Sequence, residues 1–105
     1  MSKYYLNDDK TYRECGLMEW AEQFETMDRH VAKDVINGHR VSTIWLGLDH
    51  NYFGGKPLLF ETMIFVDEHG GNDIYVDRYS TWEEAQIGHL RAIEWIEKAS
   101  GEKSE

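Results

Sequence analysis

The sequence predicts an α+β domain: a helix, a four-stranded antiparallel meander sheet and a C-terminal helix packed on one sheet face. Three observations predict it. Leu17, Trp20, Ala21, Phe24 and Met27 recur at helical spacing, with Glu19, Glu22 and Glu25 on the opposite side. Asn37-Gly38 stands between two alternating runs, and both central positions of a type I′ hairpin turn require the positive φ that Asn and Gly tolerate. Near the C-terminus, Ser80 or Thr81 is followed three residues later by Glu83 or Glu84, a capping box that opens a long amphipathic segment.

Taken in order, "KYYLNDDKTY" sets Tyr4, Tyr5 and Tyr12 around an Asn-Asp-Asp turn and predicts a short hairpin before the first helix. A two-residue loop at Asn37-Gly38 then places Ile36 opposite His39, Val35 opposite Arg40, Lys33 opposite Ser42 and Val31 opposite Ile44. One face of that hairpin carries Val31, Val35, Ile44, Leu46 and Leu48, and the other Ala32, Ile36, Val41, Thr43 and Trp45. The last helix is expected on the face of Ile44, Leu46 and Leu48. If both helices share that face, Ile36, Val41 and Trp45 form an apolar second face that needs a symmetric homodimer or another partner. The alternative is one helix on each face.

After Pro57, "LLFETMIFV" is apolar on both parities except at Glu61 and Thr62, which suits an interior strand. "DEHGGND" reads as a Gly-rich turn, "IYVDRY" as a fourth strand, and "STWEEAQIGHLRAIEWIEKAS" as a helix whose stripe is Trp82, Ala85, His89, Ala92, Ile93 and Ile96. Residues 1–100 form the one domain, and 101–105 a polar tail.

With 105 residues the chain has the length of a single domain that builds a core without staples. Its lone thiol, Cys15, excludes an internal disulfide and a cysteine zinc knuckle. The first residues lack the apolar run of a signal peptide and no segment approaches a membrane span, so a cytoplasmic location and no membrane partner are expected. The net charge of -9 opposes direct nucleic-acid binding, which draws on clustered Lys and Arg. Glu22, Glu25, Glu94 and Glu97 belong to solvated helix faces or to an acidic surface that docks a basic partner.

The residues with chemical potential are few. His50 follows Leu46 and Leu48 on one parity, and His89 lies mid-stripe on the last helix, so the two imidazoles converge if that helix covers that face. Asp49, Glu61 or Glu84 would then supply the carboxylate, in a metal set or beside a general base. The weightier reading is a neutral core His89 hydrogen-bonded to its surroundings, with Glu61 paired to Lys33, Arg40 or Arg78. Without an HExxH, a CxxC or a nucleophile motif, no metal, cofactor or catalytic residue is assigned. His30, His39 and His69 flank turns. "FGGK" leads into a strand, whereas a phosphate-binding loop needs GxxxxGK[ST] leading into a helix. Four Trp and six Tyr serve equally as core and as binding anchors, Trp20 and Trp82 in the core, Trp45 and Tyr75 on the second sheet face.

Three motifs in order, "RVSTIWLGLDH", "LLFETMIF" and "YSTWEEAQIGH", resemble small uncharacterised proteins encoded by bacteriophages and prophages, over about residues 12–96. The resemblance implies an accessory gene product. It implies no mechanism; by analogy with other small acidic phage proteins, and from the small acidic domain, its aromatic load and the lack of a strong catalytic constellation, a non-enzymatic protein that binds and disables a host macromolecule, such as a restriction or CRISPR nuclease, is expected. Glu22, Glu25, Trp45, Glu94 and Glu97 are the expected contact residues. The competing expectation is a metal-assisted enzyme or small-ligand binder using His50, Glu61 and His89.

Overall fold

The computed structural model describes residues 1–66 and 73–101, so the turn around His69 and the tail from Glu102 lie outside the described residues. Strands β1 (Lys3–Leu6) and β2 (Tyr12–Cys15) form a hairpin. Helix α1 (Leu17–Thr26) follows, then β3 (His30–Ile36), β4 (His39–Trp45), β5 (Phe60–Phe65), β6 (Asp73–Tyr79) and helix α2 (Trp82–Gly101). The main sheet is antiparallel in the order β3-β4-β5-β6, a simple meander with α2 laid across it.

The turn joining β3 and β4 has Asn37 at φ 51° and Gly38 at φ 78°, as a type I′ turn demands. It fixes the expected register: Ile36 pairs with His39, Val35 with Arg40 and Lys33 with Ser42. Beyond Ala32 the register slips, so that His30 rather than Val31 faces Ile44. Val31 is the extra residue of a bulge, and it packs against the cluster of Leu6, Trp45, Leu59, Phe60 and Ala85.

This slip belongs to a larger correction. Helix α2 covers not the face of Ile44, Leu46 and Leu48 but the opposite one. Val41 and Trp45 are buried at 0% and 1% exposure; Val41 and Ile64 pack with Ala92 and Ile96, and Trp45 and Phe60 with Ala85. The apolar face expected to lie bare is therefore the core. Nor do Leu46 and Leu48 continue β4, which ends at Trp45. Gly47 turns to φ 71°, and a Cβ there would stand 2.6 Å from the Trp20 indole nitrogen, so only glycine fits. That turn breaks the alternation from which the position of His50 was inferred.

The α2 stripe is as expected, with Ala85, His89, Ala92 and Ile96 buried. Its start is the capping box of Thr81 and Glu84: the Glu84 amide donates to the Thr81 hydroxyl (3.1 Å), and the Glu84 carboxylate accepts from the Thr81 and Ser80 amides (3.0 and 3.1 Å). Helix α1 has no buried residue and packs instead on the β1–β2 hairpin. There the Gln23 side-chain amide takes up both backbone groups of Leu6, at 2.9 Å from its N–H and 2.7 Å from its carbonyl. The Trp45 N–H donates to the Arg29 carbonyl (2.8 Å), tying the α1–β3 connection to the sheet. Among the described residues, no helix is long and apolar enough to cross a membrane.

Candidate functional site

Two polar arrangements stand out, one on each face of the sheet. Beneath α2, Thr43 and Thr62 are direct partners across β4 and β5, and their hydroxyls meet at 2.5 Å. His89 descends from α2 onto this pair, with Nδ1 2.7 Å from the Thr43 hydroxyl and Nε2 2.7 Å from an Asp34 carboxylate oxygen. An ionised carboxylate only accepts, so Nε2 carries the proton; in the neutral ring Nδ1 then accepts from Thr43, and Thr43 from Thr62. Next along the row, the Tyr79 hydroxyl is buried without a hydrogen-bond partner among the described residues. Burial pushes its pKa up to about 12, against a partial lowering by the nearby Thr62 hydroxyl.

Carboxylate, imidazole and hydroxyl in line is the order of a nucleophilic triad. Here both threonines are fully buried and His89 is 3% exposed, so no substrate reaches the hydroxyl. The row satisfies polar groups in the core, and its chemistry ends there.

The remaining expected site residues are scattered. Asp49 accepts from the amides of Asn51 (2.8 Å) and Leu58 (3.1 Å) and closes the loop that follows β4. His50 lies in that loop, its N–H donating to the Leu58 carbonyl (3.1 Å). Glu84 is spent on the helix cap. Glu61 lies between Phe60 and Thr62, which point to α2, so its carboxylate is on the other side of the sheet from His89, paired with Arg78 at 3.0 Å. Arg78 is one of its three expected partners. The pocket of Asp49, His50, Glu61, Glu84 and His89 therefore does not form, and His89 takes its carboxylate from Asp34 instead. Among the described residues, no group of three or more His, Cys, Asp or Glu could hold a metal ion. Glu22, Glu25, Glu94 and Glu97 are exposed on the helices, whereas Trp45, expected at a partner surface, is core.

The second arrangement is the sheet face that no described element covers. The register places Lys33 and Val35 of β3, Arg40, Ser42 and Ile44 of β4, Glu61, Met63 and Phe65 of β5, and Val76 and Arg78 of β6 on it. Val35 and Val76, on the outer strands, are 53% and 46% exposed. The Arg40 guanidinium lies 4.1 Å over the Phe65 ring. At one rim the α1–β3 connection rises beside the sheet and makes a cleft of about 410 Å³, lined by Arg29, His30, Arg40, Ile44, Met63 and Phe65 among others. Asp28 and His30 pair there at 3.0 Å; the backbone and side-chain hydrogen bonds from His30 hold the Asp28 carboxyl below its ordinary pKa. Sequence reasoning missed this face, although Glu61 in the middle of an apolar strand was its signal.

No family model, no curated protein and no solved structure matches the chain.

Proposed function

We propose that the protein is a non-enzymatic binding module, a phage or prophage accessory factor that acts in the host cytoplasm by docking on a host protein. Inhibition of a nuclease-based defence is the outcome proposed for that binding. The observation that supports this most is the uncovered sheet face, where a monomer would otherwise leave Val35, Val76 and the half-buried Ile44, Met63 and Phe65 facing water. The Asp34–His89–Thr43 row supports it from the other side, because its hydroxyl and imidazole are buried, although Asp34 itself reaches the surface. Docking then runs over the open face, while the acids of α1 and α2 keep the protein soluble.

The test is capture from host lysate by the wild type, by Val35→Glu/Val76→Glu and by Glu22→Lys/Glu25→Lys, with metal content measured on the same wild-type sample. A partner retained by the wild type and the α1 variant but lost by the valine variant is the expected result. A partner lost only by the α1 variant moves the interface to the acidic helix. No partner together with a stoichiometric metal overturns the proposal in favour of a metal-dependent protein.

A further inference from the structure

Resting on the docking face just proposed, we infer that the rim cleft between the α1–β3 connection and strands β4 and β5 receives a carboxylate carried on an apolar segment of the partner protein. Arg29 and Arg40 both line this cleft. Each guanidinium lies over an aromatic ring, Arg29 over Phe24 and Arg40 over Phe65, both with the central carbon 4.1 Å from the ring centroid. Stacking occupies the face of a guanidinium and leaves its N–H edge free to bind. Neither guanidinium has a hydrogen-bond or ion-pair partner among the described residues, whereas those of Arg13 and Arg78 are paired with Glu19 and Glu61. In a chain with 20 acidic and 11 basic residues, two preorganised and unpaired guanidiniums at one cleft are an unmet demand for an anion.

The charge pattern selects which anion. Among the described side chains around the cleft and open face, Arg29, Lys33, Arg40 and Arg78 outnumber Asp28 and Glu61. The chain as a whole carries -9, which penalises a polyanion such as nucleic acid or a diphosphate. A single carboxylate, held inside the screening length of roughly 8 Å, is governed by the two guanidiniums it touches. Carboxylate geometry also matches the guanidinium fork, two parallel N–H···O bonds to one planar group. Met27, Ile44, Met63 and Phe65 are the apolar part of the lining, beside Asp28 and Glu61, which are already paired with His30 and Arg78, and they suit the apolar body that carries the acid, with Met63 adapting to its shape.

Hexanoate, hexylammonium and hexyl phosphate are suitable probes, titrated into the full chain and followed by NMR at the side chains of Arg29, Arg40, Ile44 and Met63. Hexanoate is expected to shift these resonances saturably, hexylammonium not at all, and hexyl phosphate to bind more weakly than hexanoate. Arg40→Gln and Arg29→Gln should each weaken hexanoate by roughly tenfold, with Arg40→Lys between wild type and Arg40→Gln, all three melting as the wild type does. Hexanoate affinity unchanged in both Gln variants overturns the inference, as does tighter binding of hexyl phosphate. If no probe binds while Val35→Glu/Val76→Glu still abolishes partner capture, the carboxylate site fails and the docking face stands. If hexanoate binds at the two arginines but the valine variant keeps its partner, the docking face fails instead.

Discussion

The Tyr79 hydroxyl and the Trp20 indole N–H are buried without a hydrogen-bond partner among the described residues, while Thr43, Thr62 and His89 satisfy one another. Removing the Tyr79 hydroxyl sacrifices no hydrogen bond, so Tyr79→Phe is expected to equal the wild type at neutral pH or to exceed it by about 1 kcal/mol. The pH dependence follows from linkage. An unfolded tyrosine ionises near about 10, and Tyr79 in the fold at about 12. Between those values the unfolded state binds fewer protons, so stability falls as pH rises. Urea midpoints at about pH 9 and about pH 11 should therefore drop less in Tyr79→Phe than in the wild type. The drop should persist in part, since burial also raises Tyr4, Tyr12 and Tyr75. Equal drops would place the hydroxyl in contact with water. At this scale the sequence made His89 legible as a hydrogen-bonded core residue but not its carboxylate. Asp34 stands opposite Val41, on the face that alternation alone assigned to the wrong side.

Elements were legible where local chemistry was unambiguous: the Asn37-Gly38 turn, the Thr81–Glu84 capping box, the Asn-Asp-Asp hairpin and the α2 stripe. The face that α2 covers was not, because β4 is apolar on both parities and its two sides could not be ranked from that strand alone. β5 breaks the tie. Phe60, Thr62 and Ile64 are fully buried, while Glu61 on the opposite parity needs water or an arginine. The bulge at Val31 and the left-handed turn at Gly47 then shift residues that simple alternation places elsewhere. A pair of truncations tests the assignment. Ile96→Ala, beneath α2, is expected to cost roughly 2 to 5 kcal/mol, and Ile44→Ala, half-buried on the open face, clearly less. Urea melts showing Ile44→Ala as the more damaging would reverse the two faces. Gly88 adds a second check on the same contact: a Cβ there would overlap the Tyr79 ring, so Gly88→Ala should destabilise despite alanine's better helix propensity.

Over the whole molecule, composition reports a charge but not where it lies. The total of -9 conceals a segregation in which exposed acids occupy α1 and α2 and the open sheet face, among its described side chains, carries Lys33, Arg40 and Arg78 against Glu61. That segregation decides how the protein meets its own copies. Two open faces brought together by a two-fold axis would set like charges against each other across the apolar contact, which opposes a symmetric dimer. Edge-to-edge pairing is opposed as well. The outer strands β3 and β6 each take part in a register irregularity, between His30 and Ala32 and opposite Ile64 and Phe65, and such kinks blunt a sheet edge. Sedimentation at low salt is therefore expected to give a monomer at high micromolar concentration. Salt weakens the repulsion while leaving the apolar face intact, so self-association should appear, if anywhere, as ionic strength rises, and Val35→Glu/Val76→Glu should abolish it. A dimer already present at low salt and dispersed by added salt would mean that the faces attract through complementary charge, and the open face would then be an interface between copies of this chain.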